Sequence, residues 1–296
     1  MYPLDYIDPV FRPPSEARSL ILQVTNGCSW NRCSFCEMYT EPQKRFSTQS
    51  LEQLEQQVSR LALAGYPVRR VFLADGDAMT LSMRRLTDIL QMIRNYYPTV
   101  QRVSAYCLPR NLKNKSVEDL QKLRELGLSL LYVGCESGDD EVLACVEKGE
   151  TFASSLTALE KIHAAGMQSS VMILNGLGGV ELSAQHALNS ARLMNAAQPH
   201  FLSVLVVTFP SGMERHASGF EGRFRPLSQH QSVEELHALL QSLELSKTIF
   251  RSDHASNYLV LKGVLGRDKE TLLQQVELAL QRPDLVPLRE EWQRSF

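Results

Sequence analysis

The sequence predicts an α/β protein built on a parallel sheet, either doubly wound or curved into a full or partial barrel, with an α/β extension at its C-terminal end. Two observations carry that prediction. Short apolar runs rich in branched residues recur up to residue 208, and the longer segments between them place apolar residues at helical spacing. Strand and helix alternate six times, which calls for right-handed βαβ crossovers and sets function at the strands' carboxyl ends.

In chain order, strands are expected at 19–25 (SLILQVT), 70–74 (RVFLA), 102–107 (RVSAYC), 129–134 (SLLYVG), 169–175 (SSVMILN) and 201–208 (FLSVLVVT). Each is short enough to be a buried strand. Helices are expected at 48–64, 80–96, 115–126, 139–147, 152–165 and 182–197, several closing near a glycine as in LALAGYP, LRELGL and IHAAGM. After 208 the rhythm changes. A stretch containing Pro, Gly and Ser leads to a helix near 232–246, an apolar run at 257–263, and helices near 267–281 and 286–294. The expected organisation is an N-terminal segment (1–17), a core (18–208) and an extension capping it (209–296).

With 296 residues, 44% hydrophobic and 22% charged, the chain has enough apolar material for a large core. Its net charge of −2, without blocks of like charge, argues against a life on phosphate backbones or anionic membranes. The N-terminus lacks a basic segment leading into an apolar h-region, and no stretch approaches the roughly 18 apolar residues of a membrane span. The expectation is a cytoplasmic protein whose main partner is a small molecule.

Of six cysteines, three crowd into NGCSWNRCSFCEMYT as Cys28, Cys33 and Cys36, directly behind the first strand. A disulfide framework suits neither the chain length nor that crowding. Thiolates so placed suit zinc or an iron-sulfur cluster, and a closed structural zinc site takes four ligands. No fourth Cys or His stands nearby: the next cysteine is Cys107, and none follows Cys145. A 4Fe-4S cluster on three protein thiolates leaves one iron open.

These residues resemble the radical S-adenosylmethionine (radical SAM) superfamily, which carries three cysteines in the loop after the first strand of a curved (βα)6 partial TIM barrel, with an aromatic before the last. Phe35 holds that aromatic position. The spacing here is C-x4-C-x2-C where the family has C-x3-C-x2-C, so Trp30 belongs to a loop one residue longer. Asp75, Gly76 and Asp77, in LADGDAMT after the second strand, resemble the turn that receives the methionine ammonium of SAM, with Asp for the family's Glu. A glycine permits close backbone approach, and a carboxylate suits an ammonium.

The fourth strand ends in YVGCESGDDEVLACVEKGET, similar to the Elongator-catalytic-subunit and methylthiotransferase branches. The resemblance implies that Glu136, with Ser137 beside it, faces the SAM ribose or amino acid, and that Lys148 stands for an Arg pairing the SAM carboxylate. A lysine there lacks the planar fork. The fifth strand runs into ILNGLGG, where Asn175, Gly176, Gly178 and Gly179 resemble a glycine-rich adenine-side element. In the extension, FRSDHASNYLVLKG resembles a segment of one group within the superfamily. Its Asp253, His254, Ser256 and Asn257 concentrate acid, base and hydrogen-bonding groups. Cys107, with Tyr106 and Arg110 beside it, ends the third strand and is a further candidate for substrate handling.

The resemblance implies one 4Fe-4S cluster, SAM as cofactor, a reduced flavodoxin- or ferredoxin-type electron donor, and hydrogen abstraction from a substrate by a 5′-deoxyadenosyl radical. Asp253, His254 and Cys107 are the candidate catalytic groups. The absence of cysteines after Cys145 argues against an auxiliary cluster in the extension. The competing expectations are an RNA-modifying radical SAM enzyme and a non-catalytic iron-sulfur or zinc protein.

Overall fold

Each of the six apolar runs forms a strand, and the spaced segments form the helices between them, in the computed structural model, which describes residues 2–294. The strands are β1 (Leu20–Gln23), β2 (Thr25–Asn26), β3 (Ser47–Thr48), β4 (Arg70–Ala74), β5 (Arg102–Cys107), β6 (Leu128–Glu136), β7 (Gln168–Asn175), β8 (Phe201–Val206), β9 (Ile249–Ser252) and β10 (Leu261–Val264). The helices are α1 (Leu51–Leu63), α2 (Met83–Tyr96), α3 (Val117–Glu125), α4 (Asp140–Cys145), α5 (Phe152–Ala164), α6 (Gly179–Ala197), α7 (Glu214–Ser218), α8 (Gln229–Ser242) and α9 (Lys269–Gln281).

Eight strands of the described residues share one sheet in the order β1-β4-β5-β6-β7-β8-β9-β10. β1, β4, β5 and β6 pair in parallel, as do β7, β8 and β9, and β10 closes antiparallel on β9. This mostly parallel sheet with crossover helices is the predicted α/β class. All four residues of β1 are buried, the signature of a strand covered on both faces. Three helices, α1, α3 and α8, start where a serine oxygen satisfies a first-turn amide: Ser50, Ser116 and Ser228 form reciprocal capping boxes with Gln53, Asp119 and Gln231.

The extension departs from expectation in three places. Residues 286–294 form no α-helix; a single 3-10 turn, Glu291–Gln293, stands among them, with another, Pro283–Leu285, just before. Pro287 has no N–H to donate and disfavours the α conformation of the residue before it, so the apolar spacing does not propagate. The run at 257–263 becomes a strand only from Leu261, paired with β9. β9 itself (IFRS) was not expected, because two apolar residues followed by Arg and Ser give no readable period.

Contacts divide the chain into two compact units, Met1–Asn31 with Cys36–Val133 and Glu160–Ser169, and Arg32–Phe35 with Gly134–Leu159 and Ser170–Phe296. In the first unit the N-terminal segment is tied down through Glu16, which is fully buried. Its carboxylate accepts from Tyr132 at 2.7 Å, from Arg102 at 2.6 Å and from Ser19. In the second unit Val142, Val146, Leu177, Leu182 and Phe220 form one apolar cluster, with Phe35 and Phe224 packed against it. Residues beyond 208 therefore share a core with α4 and α6.

Candidate functional site

The loop that carries the three cysteines is pinched shut at its base. β2 and β3 pair antiparallel, Thr25 opposite Thr48, and the Asn26 amide donates to the carbonyls of Gln43 at 2.7 Å and Arg45 at 3.0 Å. Gly27 has φ +70°, and a Cβ there would lie 2.0 Å from the Lys44 carbonyl oxygen. Only glycine accepts both the conformation and the approach. Cys33 is buried, and Cys28 and Cys36 are half-buried.

In the first unit, β4 ends in two buried acids with different partners. Asp75 is ion-paired to Lys44, both side chains being 0% exposed. It also accepts from the Tyr39 hydroxyl at 3.1 Å and the Gln23 amide at 3.3 Å. Burial pushes its carboxyl up, opposed by the Lys44 ammonium. Gly76 lies under the Tyr39 ring, which a Cβ would meet at 2.4 Å. Asp77, two residues on, accepts from the Ser29 hydroxyl and from the Ser29 amide at 3.3 Å. Asp77 thereby grips the residue next to Cys28. Its other oxygen, Oδ1, is buried without a hydrogen-bond partner, and burial raises this carboxyl too.

The extra residue of the loop has a partner. The Arg110 guanidinium, just past the end of β5, stacks 3.7 Å from the Trp30 ring centroid, a cation-π contact. Cys107, on the same strand end, is 2% exposed and directs its thiol to the Leu108 carbonyl at 3.3 Å.

In the second unit, Glu136 ends β6 with φ +65°, a conformation that non-glycine residues hold only where their surroundings enforce it. Its carboxylate accepts from Lys148 at 3.0 Å, and both residues are buried. Gly134 makes room for it: a Cβ there would meet Glu136 Oε1 at 2.2 Å. Burial alone would lower the Lys148 pKa, but Glu136 first and then Cys33 hold its charge, and the net shift is upward. The ammonium lies 5.9 Å from the Phe35 ring centroid, so the predicted Glu136, Lys148, Phe35 and the Cys33 field do come together.

The remaining candidates are engaged within the second unit. Ser137 is fully buried; its hydroxyl pairs with His186 Nδ1 at 2.8 Å and accepts from the Asp139 amide at 2.9 Å. The Asn175 amide donates to the Ser232 carbonyl at 2.9 Å, while its Oδ1 is buried without a partner. The Gly176 amide donates to Glu235 at 2.6 Å. Asp253 pairs with Lys262 at 3.0 Å, and His254 Nδ1 bonds the Ser256 hydroxyl at 2.9 Å. Asn257 donates to the Val204 carbonyl and accepts from the Val206 amide, each at 2.8 Å, tying this loop to β8.

Two residues that sequence reasoning missed touch the segment Arg32–Phe35. Arg215 donates to the Cys33 carbonyl at 3.0 Å, and His216 Nδ1 bonds the Ser34 hydroxyl at 3.1 Å. Burial pushes the His216 pKa down to about 4. Lys44 and Tyr39 were missed as well; a lone Lys in EPQKRF carries no pattern that names a carboxylate 31 positions away.

The family model described as the Radical SAM superfamily matches residues 22–190, from β1 and its cysteine loop into α6. The chain belongs to the radical SAM superfamily. Among curated proteins this radical SAM protein is similar to the heme chaperone HemW of Bacillus subtilis (strain 168), 23% identical over 219 residues, 72% of this chain and 56% of that one. The match therefore spans little more than half of that relative's length. In fold it is similar to coproporphyrinogen III oxidase (HemN) from Escherichia coli, with a TM-score of 0.55 and 16% identity over 76% of this chain and 52% of that chain. It is also similar to methylornithine synthase (PylB), with a TM-score of 0.51 and 16% identity over 92% and 83%. At these identities the likeness is one of fold.

The superfamily's cofactors are a 4Fe-4S cluster and SAM. The donor chemistry here fits them: three thiols lie within nine positions of one loop, and in the second unit the buried Lys148 ammonium interacts with Cys33. Among the described residues no three Cys, His, Asp or Glu side chains stand grouped at metal-ligand spacing. In the first unit Asp77 Oδ1, and in the second Asn175 Oδ1, are buried without a hydrogen-bond partner.

Proposed function

We propose that this protein is a radical SAM enzyme in which Cys28, Cys33 and Cys36 hold a single 4Fe-4S cluster. The observation that carries this reading is the thiol triad in the loop at the carboxyl end of β1, inside the matched region. Bound there, a reduced cluster would supply the electron for cleaving SAM to methionine and a 5′-deoxyadenosyl radical, the hydrogen-abstracting species.

The chain's own residues bind and orient. Asp77 holds Ser29 and offers Oδ1 to the SAM ammonium, beside the Gly76 turn that the Tyr39 ring covers. Lys148 attracts a carboxylate, with Glu136 keeping it charged. Asn175 Oδ1 accepts from the adenine side, next to the Gly176 turn. Asp75 acts one step back, through the Lys44 and Tyr39 contacts that set the loop. Asp253, His254 and Cys107 are the groups proposed to handle substrate, Asp253 and His254 by proton transfer.

The net charge of −2 and the absence of like-charge blocks favour a small-molecule substrate over RNA; a flavodoxin- or ferredoxin-type donor in the cytoplasm would supply the electron. Among the described residues no helix is long and apolar enough to cross a membrane.

The test is anaerobic reconstitution followed by reduction in the presence of SAM. The expected result is 5′-deoxyadenosine in the product mixture. A fully loaded protein that forms none would contradict catalysis and favour a carrier role, of the kind that the curated relative's name describes.

A further inference from the structure

We infer that Arg215, with His216 beside it on α7, is a positioning residue that presents Cys33 to the cluster. This rests on the assignment of Cys33 as a cluster ligand.

The peptide joining Cys33 to Ser34 is held at every polar point. Arg215 Nη2 donates to the Cys33 carbonyl at 3.0 Å and reaches the Arg32 carbonyl at 3.4 Å. The Ser34 amide donates to the Val146 carbonyl at 3.0 Å, at the end of α4. The Ser34 hydroxyl bonds His216 Nδ1 at 3.1 Å, and His216 Nε2 donates to the Leu177 carbonyl at 3.1 Å. That second bond leaves Nδ1 as the acceptor for Ser34.

The clamp itself has nowhere to move. His216 is fully buried, and the rings of Phe209, Phe220 and Phe224 surround it at centroid distances of 4.8, 5.1 and 4.6 Å. Immediately beyond α7, Gly219 rests on α4 so closely that a Cβ would lie 1.9 Å from the Cys145 carbonyl oxygen. Helix α7, the end of α4 and the segment Arg32–Phe35 thus form one locked assembly inside the second unit.

The backbone, rather than the metal, then fixes the direction in which the Cys33 side chain leaves the chain. A ligand held in place beforehand loses little conformational entropy on binding, and removing a group that orients a metal ligand typically costs about 10–100-fold in affinity. Presenting this thiol is therefore a task of the extension, which supplies Arg215 and His216. It accounts for a basic pair, Arg215 and His216, in a stretch that otherwise reads as a loop.

The experiment compares iron retention in the anaerobically loaded full chain for the wild type, Arg215→Ala, Arg215→Lys and Ser34→Ala. Arg215→Ala alters an exposed side chain, and Ser34→Ala cuts the His216 link without opening the aromatic cluster. Iron release to a ferrous chelator is followed beside the EPR spectrum of the reduced cluster and the thermal midpoint. Both alanine variants are expected to release iron about 10-fold faster; Arg215→Ala does so at unchanged thermal midpoint, with partial recovery in Arg215→Lys, whereas Ser34→Ala also lowers the midpoint because it leaves the buried His216 Nδ1 unpaired. Wild-type release rates in both overturn the inference, as does faster release in Arg215→Ala that only tracks a lowered midpoint. A wild type that loads no cluster contradicts the ligand assignment instead.

Discussion

Cys33→Ala is expected to abolish the intact 4Fe-4S cluster, whereas Cys107→Ala and Cys145→Ala leave it spectroscopically normal. The other cysteines are poor substitutes. Cys107 is 2% exposed with its thiol turned to the Leu108 carbonyl. Cys135 is fully buried, and burial pushes its thiol up to about 12. Burial also raises Cys145. A thiol that resists ionisation is a weak iron ligand, because the thiolate is the donor. Iron and sulfide content with the visible and EPR spectra read the outcome, and loss of the cluster in Cys107→Ala would show a different ligand set.

The second large effect is on stability. Lys44→Met strands the Asp75 carboxylate in a site where both partners are 0% exposed; removing one partner of a buried pair costs about 3–5 kcal/mol. Lys44→Met combined with Asp75→Asn removes the charge as well and recovers most of the loss, as urea denaturation would report. The sign of the pH effect follows from the raised Asp75 carboxyl. Without Lys44 it rises further, so the native variant binds a proton that the unfolded chain gives up. The variant's deficit is then largest near neutral pH and narrows as the pH falls toward the ordinary carboxylate range. A deficit independent of pH would assign the loss to packing instead.

The parts of this protein that were legible in its sequence are those whose cause is local. The strands around Leu22, Phe72 and Val171 declare themselves because full burial on both faces writes continuous apolar runs. The thiol triad is legible because its cysteines share one loop, and the glycine-rich turns because their backbone needs no distant partner. What escaped depends on residues far apart. Lys44 reads as a surface lysine until Asp75 is placed beside it, and Arg215 and His216 lie 182 positions from the residues they hold. Trp30 looked like a mere insertion between Cys28 and Cys33; Arg110, stacked on it from the end of β5, gives the longer loop a contact that a shorter one would lack. Residues 286–294 misled in the opposite sense, their helical spacing overruled by one proline.

A three-thiol ligand set would leave one iron open for SAM. The EPR spectrum of the reduced, reconstituted protein, recorded with and without SAM, tests this directly. A change in the cluster's g-values on adding SAM is the predicted result; a fully loaded cluster whose spectrum stays the same at saturating SAM would contradict it.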